Sequence, residues 1–158
     1  MGGTPPHIFS FRTLTLIKIL TMKTNVLIVI LFILSLSGYS QDYYVYKGNS
    51  SSTFDIKYTL ESRTSGGYKV YKGKSTFTSD FRFTVEKKHD GFKVYDGSGA
   101  FSSDLLYTVK ANGKGFKVYD EDSFTDLVYT IEATEDGYKV YKGNSTFFSD
   151  LKYTIRKK

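Results

Sequence analysis

An aspartate occupies the same place in each of five similar segments: Asp55, Asp80, Asp104, Asp126 and Asp150. Paired carboxylates can cleave glycosidic bonds, one as acid and the other as base or nucleophile. Such a pair needs two acids in unlike surroundings, whereas these acids recur by symmetry. Each follows Ser or Thr closely and precedes an apolar segment. That is the pattern of a side chain closing a loop onto nearby backbone, so all five are read as structural loop caps. Carboxylate-dependent hydrolysis of an envelope polymer stays open as the alternative.

The other reactive residue types are sparse. His7 lies in the leader, which leaves His89 as the one histidine after residue 40, and there is no cysteine. A zinc site of Cys and His ligands cannot be assembled from that set. A serine triad would have to recruit His89, and no Gly-x-Ser-x-Gly elbow supports one. No phosphate-cradling glycine loop or dinucleotide fingerprint is present. The run Asp120-Glu121-Asp122 supplies oxygen ligands of the kind calcium takes; a solvated acidic loop is the competing reading. No cofactor, metal or catalytic residue is assigned.

These residues sit in a repeat. A phrase close to Gly-Tyr-Lys-Val-Tyr-Lys-Gly is centred on Val45, Val70, Val94, Val118 and Val140, and an Asp-Leu-x-Tyr-Thr-Ile phrase follows each copy. Five units of 22 to 25 residues fill the chain beyond residue 40, the mark of a repeat architecture.

Residues 1–40 stand apart. Met22-Lys23-Thr24-Asn25 is a basic start, Val26 to Leu36 is apolar, and Gly38-Tyr39-Ser40 offers small residues for cleavage after Ser40. This is the layout of a secretory signal peptide, with Met22 as the expected initiator. The expectation is a secreted or periplasmic protein with one domain, residues 41–158, and no membrane span in it. The leader holds Arg12, Lys18 and Lys23 and no acid, so removing those three from the formal +6 leaves +3. So small a charge, spread along the chain, gives no case for nucleic-acid binding.

Within a unit the apolar residues alternate. Tyr68 and Val70 share one face and Lys69 and Tyr71 the other; Phe81, Phe83 and Val85 share a face opposite Arg82 and Thr84. Period two means strand. Two strands per unit give about ten, an all-β fold of five hairpin repeats around one core, as a closed or rolled meander. Asp90-Gly91, Asn112-Gly113 and Asp136-Gly137 are hairpin-turn dipeptides. Across the first of them Val85 is expected to face Phe92, and Phe83 to face Val94. The longer loops each carry a Phe (Phe77, Phe101, Phe124, Phe147), expected to tuck back over the core. An outer stripe of Tyr and Lys (Lys69, Tyr71, Lys93, Tyr95 and their repeats) could stack sugars or meet anionic surfaces, and cross-strand packing explains it equally well. A membrane barrel fits poorly, because its outer face must be apolar at mid-depth.

The spacing Lys-Val-Tyr, eight residues, Asp-x-x-Tyr occurs in Lys139-Val140-Tyr141 with Asp150 and Tyr153, and in Lys93-Val94-Tyr95 with Asp104 and Tyr107. This resembles the small bacterial septoil-knot family, whose Val-Tyr strands alternate with Ser-x-Ala-Asp turns. Here Ser79, Ser103 and Ser149 stand where that family has Ala. The resemblance implies an alternative fold, an all-β chain tied as a seven-crossing torus knot. It brings no established function and no catalytic residue.

Function is best sought where the symmetry breaks. Two residues before the strand Thr stand Lys57, Arg82 and Lys152 in units one, two and five, but Leu106 and Val128 in units three and four. After the strand Tyr stand Lys47, Lys72 and Lys142, but Asp96 and Asp120 in the same middle units. With Leu106 and Val128 taken as outward, Tyr95, Leu106, Tyr119 and Val128 make a candidate contact patch. The other reading is that this region is covered on both sides by the fold. The expected function is an exported, non-enzymatic binding or scaffold module working through its β surface. Its partner is unknown; a protein or polysaccharide at the cell envelope is the expected kind.

Overall fold

The structure is a computed structural model, and it describes residues 41–158. The leader, its Met22 start and the cleavage expected after Ser40 lie outside the described residues.

Ten antiparallel strands run in chain order: β1 (Tyr43–Lys47), β2 (Ile56–Ser62), β3 (Tyr68–Lys72), β4 (Phe81–Lys88), β5 (Gly91–Asp96), β6 (Leu105–Asn112), β7 (Gly115–Asp120), β8 (Leu127–Thr134), β9 (Gly137–Lys142) and β10 (Leu151–Lys157). Each strand pairs with its sequence neighbours, and β1 pairs with β10, so the sheet closes into a meander barrel. Closure leaves no unpaired strand edge, the usual route to strand-to-strand aggregation. Among the described residues no helix is long and apolar enough to cross a membrane.

Alternation drives the closure. One hairpin cannot keep its apolar face dry, whereas ten strands wrapped into a barrel turn all those faces onto one another. The valines at the centres of the five repeats are each 0% exposed. They are sandwiched between two aromatic layers. Tyr43, Tyr68, Phe92, Phe116 and Tyr138 fill the end where β1 begins and β10 finishes, here the terminal end, while Tyr58, Phe83, Tyr107, Tyr129 and Tyr153 fill the other. The interior is a packed core rather than a channel.

The two ends differ. At the terminal end, short turns join β2–β3, β4–β5, β6–β7 and β8–β9. The β4–β5 turn is only His89-Asp90, so Lys88 pairs with Gly91 and Val85 with Val94. The expected pairing of Val85 with Phe92 is thus two residues out: it centres the turn between Lys88 and His89, whereas the turn is centred between His89 and Asp90. The face is unchanged, because a shift of two preserves it. At the opposite end the five longer loops fold back over the outside of the barrel. Four of them end in a one-turn 3-10 segment before the next strand.

Each loop is tied to the strand beside it by one repeated bond. Thr59, Thr84, Thr130 and Thr154 donate their hydroxyls to the carbonyls of Gly73, Gly97, Gly143 and Gly48 at 2.7–2.9 Å. Thr108 donates to Glu121, which stands in the glycine position of unit four. These five threonines are buried, so satisfying the hydroxyl is a condition of burying it. Among the outer tyrosines, Tyr71 packs edge-on against Phe81, the first residue of β4.

The loop phenylalanines do not tuck over the core. Phe54, Phe77, Phe101, Phe124, Phe147 and Phe148 are 68–96% exposed. The barrel interior is already filled by the strands, and the loop runs outside it, so no apolar cavity remains for these rings. Phe124 lies on the outer flank, with the Lys110 ammonium 3.6 Å from its ring centre.

Candidate functional site

Every even-numbered strand carries a β-bulge in its first turn of pairing. In β2, Val45 faces Tyr58 and Tyr46 faces Ile56, leaving Lys57 without an opposite number. The same shift falls at Arg82, Leu106, Val128 and Lys152. A bulge interrupts alternation and re-aims a side chain. Leu106 and Val128 are half-buried against the interior cluster, which corrects the reading of them as outward. A strictly alternating strand would put them outside with Thr108 and Thr130; the bulge turns them to the rim of the barrel.

The residues after the strand tyrosines reach the same rim from the odd-numbered strands. Lys47, Lys72, Asp96, Asp120 and Lys142 lie directly opposite Tyr153, Tyr58, Phe83, Tyr107 and Tyr129. Directly opposed residues share a face, and these aromatics belong to the interior. Ten side chains therefore crown the loop-bearing mouth, with the aromatic layer as its floor.

Closure brings units five, one and two together, because β9-β10-β1-β2-β3-β4 is an unbroken run. Their six rim residues, Lys142, Lys152, Lys47, Lys57, Lys72 and Arg82, form one basic crescent. Units three and four complete the circle with Asp96, Leu106, Asp120 and Val128. The five lysines are exposed, and none makes an ion pair with a described carboxylate. Arg82 is held by its own loop, its Nη1 donating to the carbonyls of Ser79 and Phe81 at 3.1 and 2.8 Å.

The floor is phenolic and neutral. Burial raises Tyr58, Tyr107, Tyr129 and Tyr153 above the usual tyrosine value. Tyr153 is pushed up to about 12, by burial first and then by Tyr129 and Tyr58. At Tyr58 the Arg82 charge opposes the burial, and at Tyr107 the Asp120 charge adds to it.

The structure divides the four residues of the candidate patch. Tyr95 is buried on the outer side of β5, and Tyr119 is half-buried at the same position of β7, where the covering loop is shorter. Leu106 and Val128 belong to the mouth. Of the expected loop caps, Asp55 accepts from the Ser50 hydroxyl at 2.7 Å and Asp126 from Ser123 at 3.0 Å. Asp104 lies 3.2 Å from the Ser103 hydroxyl. At Asp80 and Asp150 the loop is closed by the backbone, each amide donating to the carbonyl three residues earlier. Serine hydroxyls take part as well: Ser75 and Ser145 accept from the amides of Phe77 and Phe147.

In the acidic loop, Asp122 pairs with Lys93 at 3.0 Å. Among the described residues no three His, Cys, Asp or Glu side chains converge on a metal position. His89 is an exposed turn residue.

What sequence reasoning missed is the mouth as a unit. The signal was present, since both sets of symmetry-breaking positions change character in the same two repeats, but only the bulges and the ring closure bring them to one rim. No family model, curated protein or solved structure matches this chain, and none of the three comparisons bears on the septoil-knot resemblance.

Proposed function

We propose that this is an exported, non-enzymatic binding module whose contact surface is the loop-bearing mouth of the barrel. The observation that supports it most is the departure from fivefold symmetry at the rim. The core valines, the buried threonines and their loop bonds repeat around the barrel, while the rim residues divide into a basic arc and an acidic, apolar one. Stability alone does not call for the change from Lys47, Lys72 and Lys142 to Asp96 at the same exposed position. Export rests on the composition of the leader. A partner at the cell envelope, polymer or protein, suits that location.

The test is to make the rim uniform. The double variant Leu106→Lys/Val128→Lys gives units three and four the bulge residue of units one and five. Binding of the purified protein to isolated envelope polymers, measured by co-sedimentation, should fall with little change in melting temperature. Cleavage of such a polymer, abolished in a folded Asp80→Ala/Asp104→Ala/Asp150→Ala variant, would overturn the proposal in favour of a hydrolase.

A further inference from the structure

We infer that the basic crescent of the mouth is an oxyanion site, which seats a phosphate or sulfate group with the uncharged part of its carrier turned toward Leu106 and Val128. This rests on the binding-module reading and names its ligand class.

Crowding of like charge is the first reason. Strands in a sheet lie about 4.8 Å apart, so six cations on six consecutive strands repel one another at short range. The repeat does not require this arrangement, because units three and four fold with Asp and aliphatic residues at the same positions. At three of the four equivalent outward positions elsewhere on the barrel opposite charges face each other: Glu61 opposes Lys69, Glu86 opposes Lys93, and Glu132 opposes Lys139, while Lys110 opposes Lys117. At the crescent no described carboxylate comes within ion-pair distance of the lysines, although Asp55, Asp80 and Asp150 precede Lys57, Arg82 and Lys152 by two residues.

The floor supplies the second reason. Tyr129 and Tyr153 lie directly opposite Lys142 and Lys47. A phenol held in its protonated form has a hydroxyl able to donate beside an ammonium, and oxyanions take both kinds of donor. Below that layer the valines close the lumen, so the ligand sits in the mouth and presents a terminal group rather than threading the barrel.

The third reason is the opposite wall. Asp96 and Asp120 repel a second anion, while Leu106 and Val128 offer apolar contact. A ligand with one charged end and one uncharged side fits in a single orientation.

The experiment uses inorganic pyrophosphate and dextran sulfate as probes, by calorimetry at low and moderate salt, on the purified protein and on Lys57→Ser/Lys152→Ser. Both lysines are exposed, and the melting temperature serves as a check on folding. The expected result is pyrophosphate binding that weakens with salt, is displaced by dextran sulfate, and is weaker by about tenfold or more in the variant. Lys57→Arg/Lys152→Arg should restore it. Displacement by phosphatidylglycerol vesicles but not by dextran sulfate would assign the group to a lipid rather than to a glycan. Absence of binding at low salt, or binding equal in the Ser variant, overturns the inference. So does a salt-sensitive dimer abolished by Lys57→Glu/Lys152→Glu, since the acidic arc of a second copy would then fill the crescent. Binding of an uncharged envelope glycan, lost in Leu106→Lys/Val128→Lys, would refute the oxyanion site while leaving the binding module standing.

Discussion

The Thr154 hydroxyl donates to the carbonyl of Gly48 at 2.7 Å, tying the last strand to the loop that follows the first. The two residues are 106 positions apart in sequence. Thr59 and Gly73 make the same bond only 14 apart. Replacing Thr154 with Val keeps the shape and leaves a part-buried carbonyl without its donor. The expected cost is about 1–2 kcal/mol, read from the midpoint of denaturant unfolding. Thr59→Val should cost a similar amount, because the environment is the same.

Glu121 has φ +47°, the one non-glycine residue in the left-handed region among the described residues. Its counterparts Gly48, Gly73, Gly97 and Gly143 take φ values of +55° to +68°. Glu121→Gly should therefore raise stability by about 1 kcal/mol, since the strain on a side chain in that region exceeds the added freedom of the unfolded glycine. Glu121→Ala should give no such gain. Thermal unfolding of the two variants side by side checks this.

Phe77 and Phe83 lie six residues apart and should respond to truncation in opposite ways. Phe77 is 76% exposed and Phe83 is 5% exposed. Phe77→Ser should change stability by less than about 0.5 kcal/mol, while Phe83→Ala should cost about 3–5 kcal/mol through the cavity it leaves. Equal losses would mean that the loop ring packs against the core after all.

High pH should unfold the barrel from within. The folded state holds Tyr153 protonated up to about 12, whereas an unfolded tyrosine ionises near 10. The unfolded chain therefore releases its proton first. Stability carried by this group is complete below pH 10 and is lost as the pH rises toward 12. Tyr68 and Tyr107 are raised further in the same direction by burial. Ultraviolet titration of tyrosinate should show the interior phenols ionising together with loss of β-sheet circular dichroism. Tyr153→Phe should shift that transition upward.

Much of the fold was legible because a strand writes its faces at period two. Alternation alone assigns Val70 and Val85 to the core side, and the structure puts both there. The bulge at Leu106 was illegible for the same reason: one extra residue reverses the inference, and composition does not announce it. The turn at His89-Asp90 shows a milder version, since Asp90-Gly91 marks a turn without fixing the residue on which it is centred. Ring closure depends on β1 meeting β10, a pairing between sequence-distant strands that no local pattern states. The mouth was half visible. Asp96 and Asp120 depart visibly from the repeat, but only the bulges and the closure together bring them to one rim with Leu106 and Val128.

The seam has one more consequence. The Lys158 amide donates to the Asp42 carbonyl at 3.0 Å, and Asp42 also accepts from the Ser62 amide. Start and finish of the barrel are thus neighbours, at the pole opposite the rim. A peptide joining 158 to 41, with a fresh opening cut between Asn112 and Gly115, should yield a circular permutant that folds to the same ring. The order in which the ribbons are spelled is then incidental to the architecture, and the barrel's first and last strands both end at the pole opposite the rim.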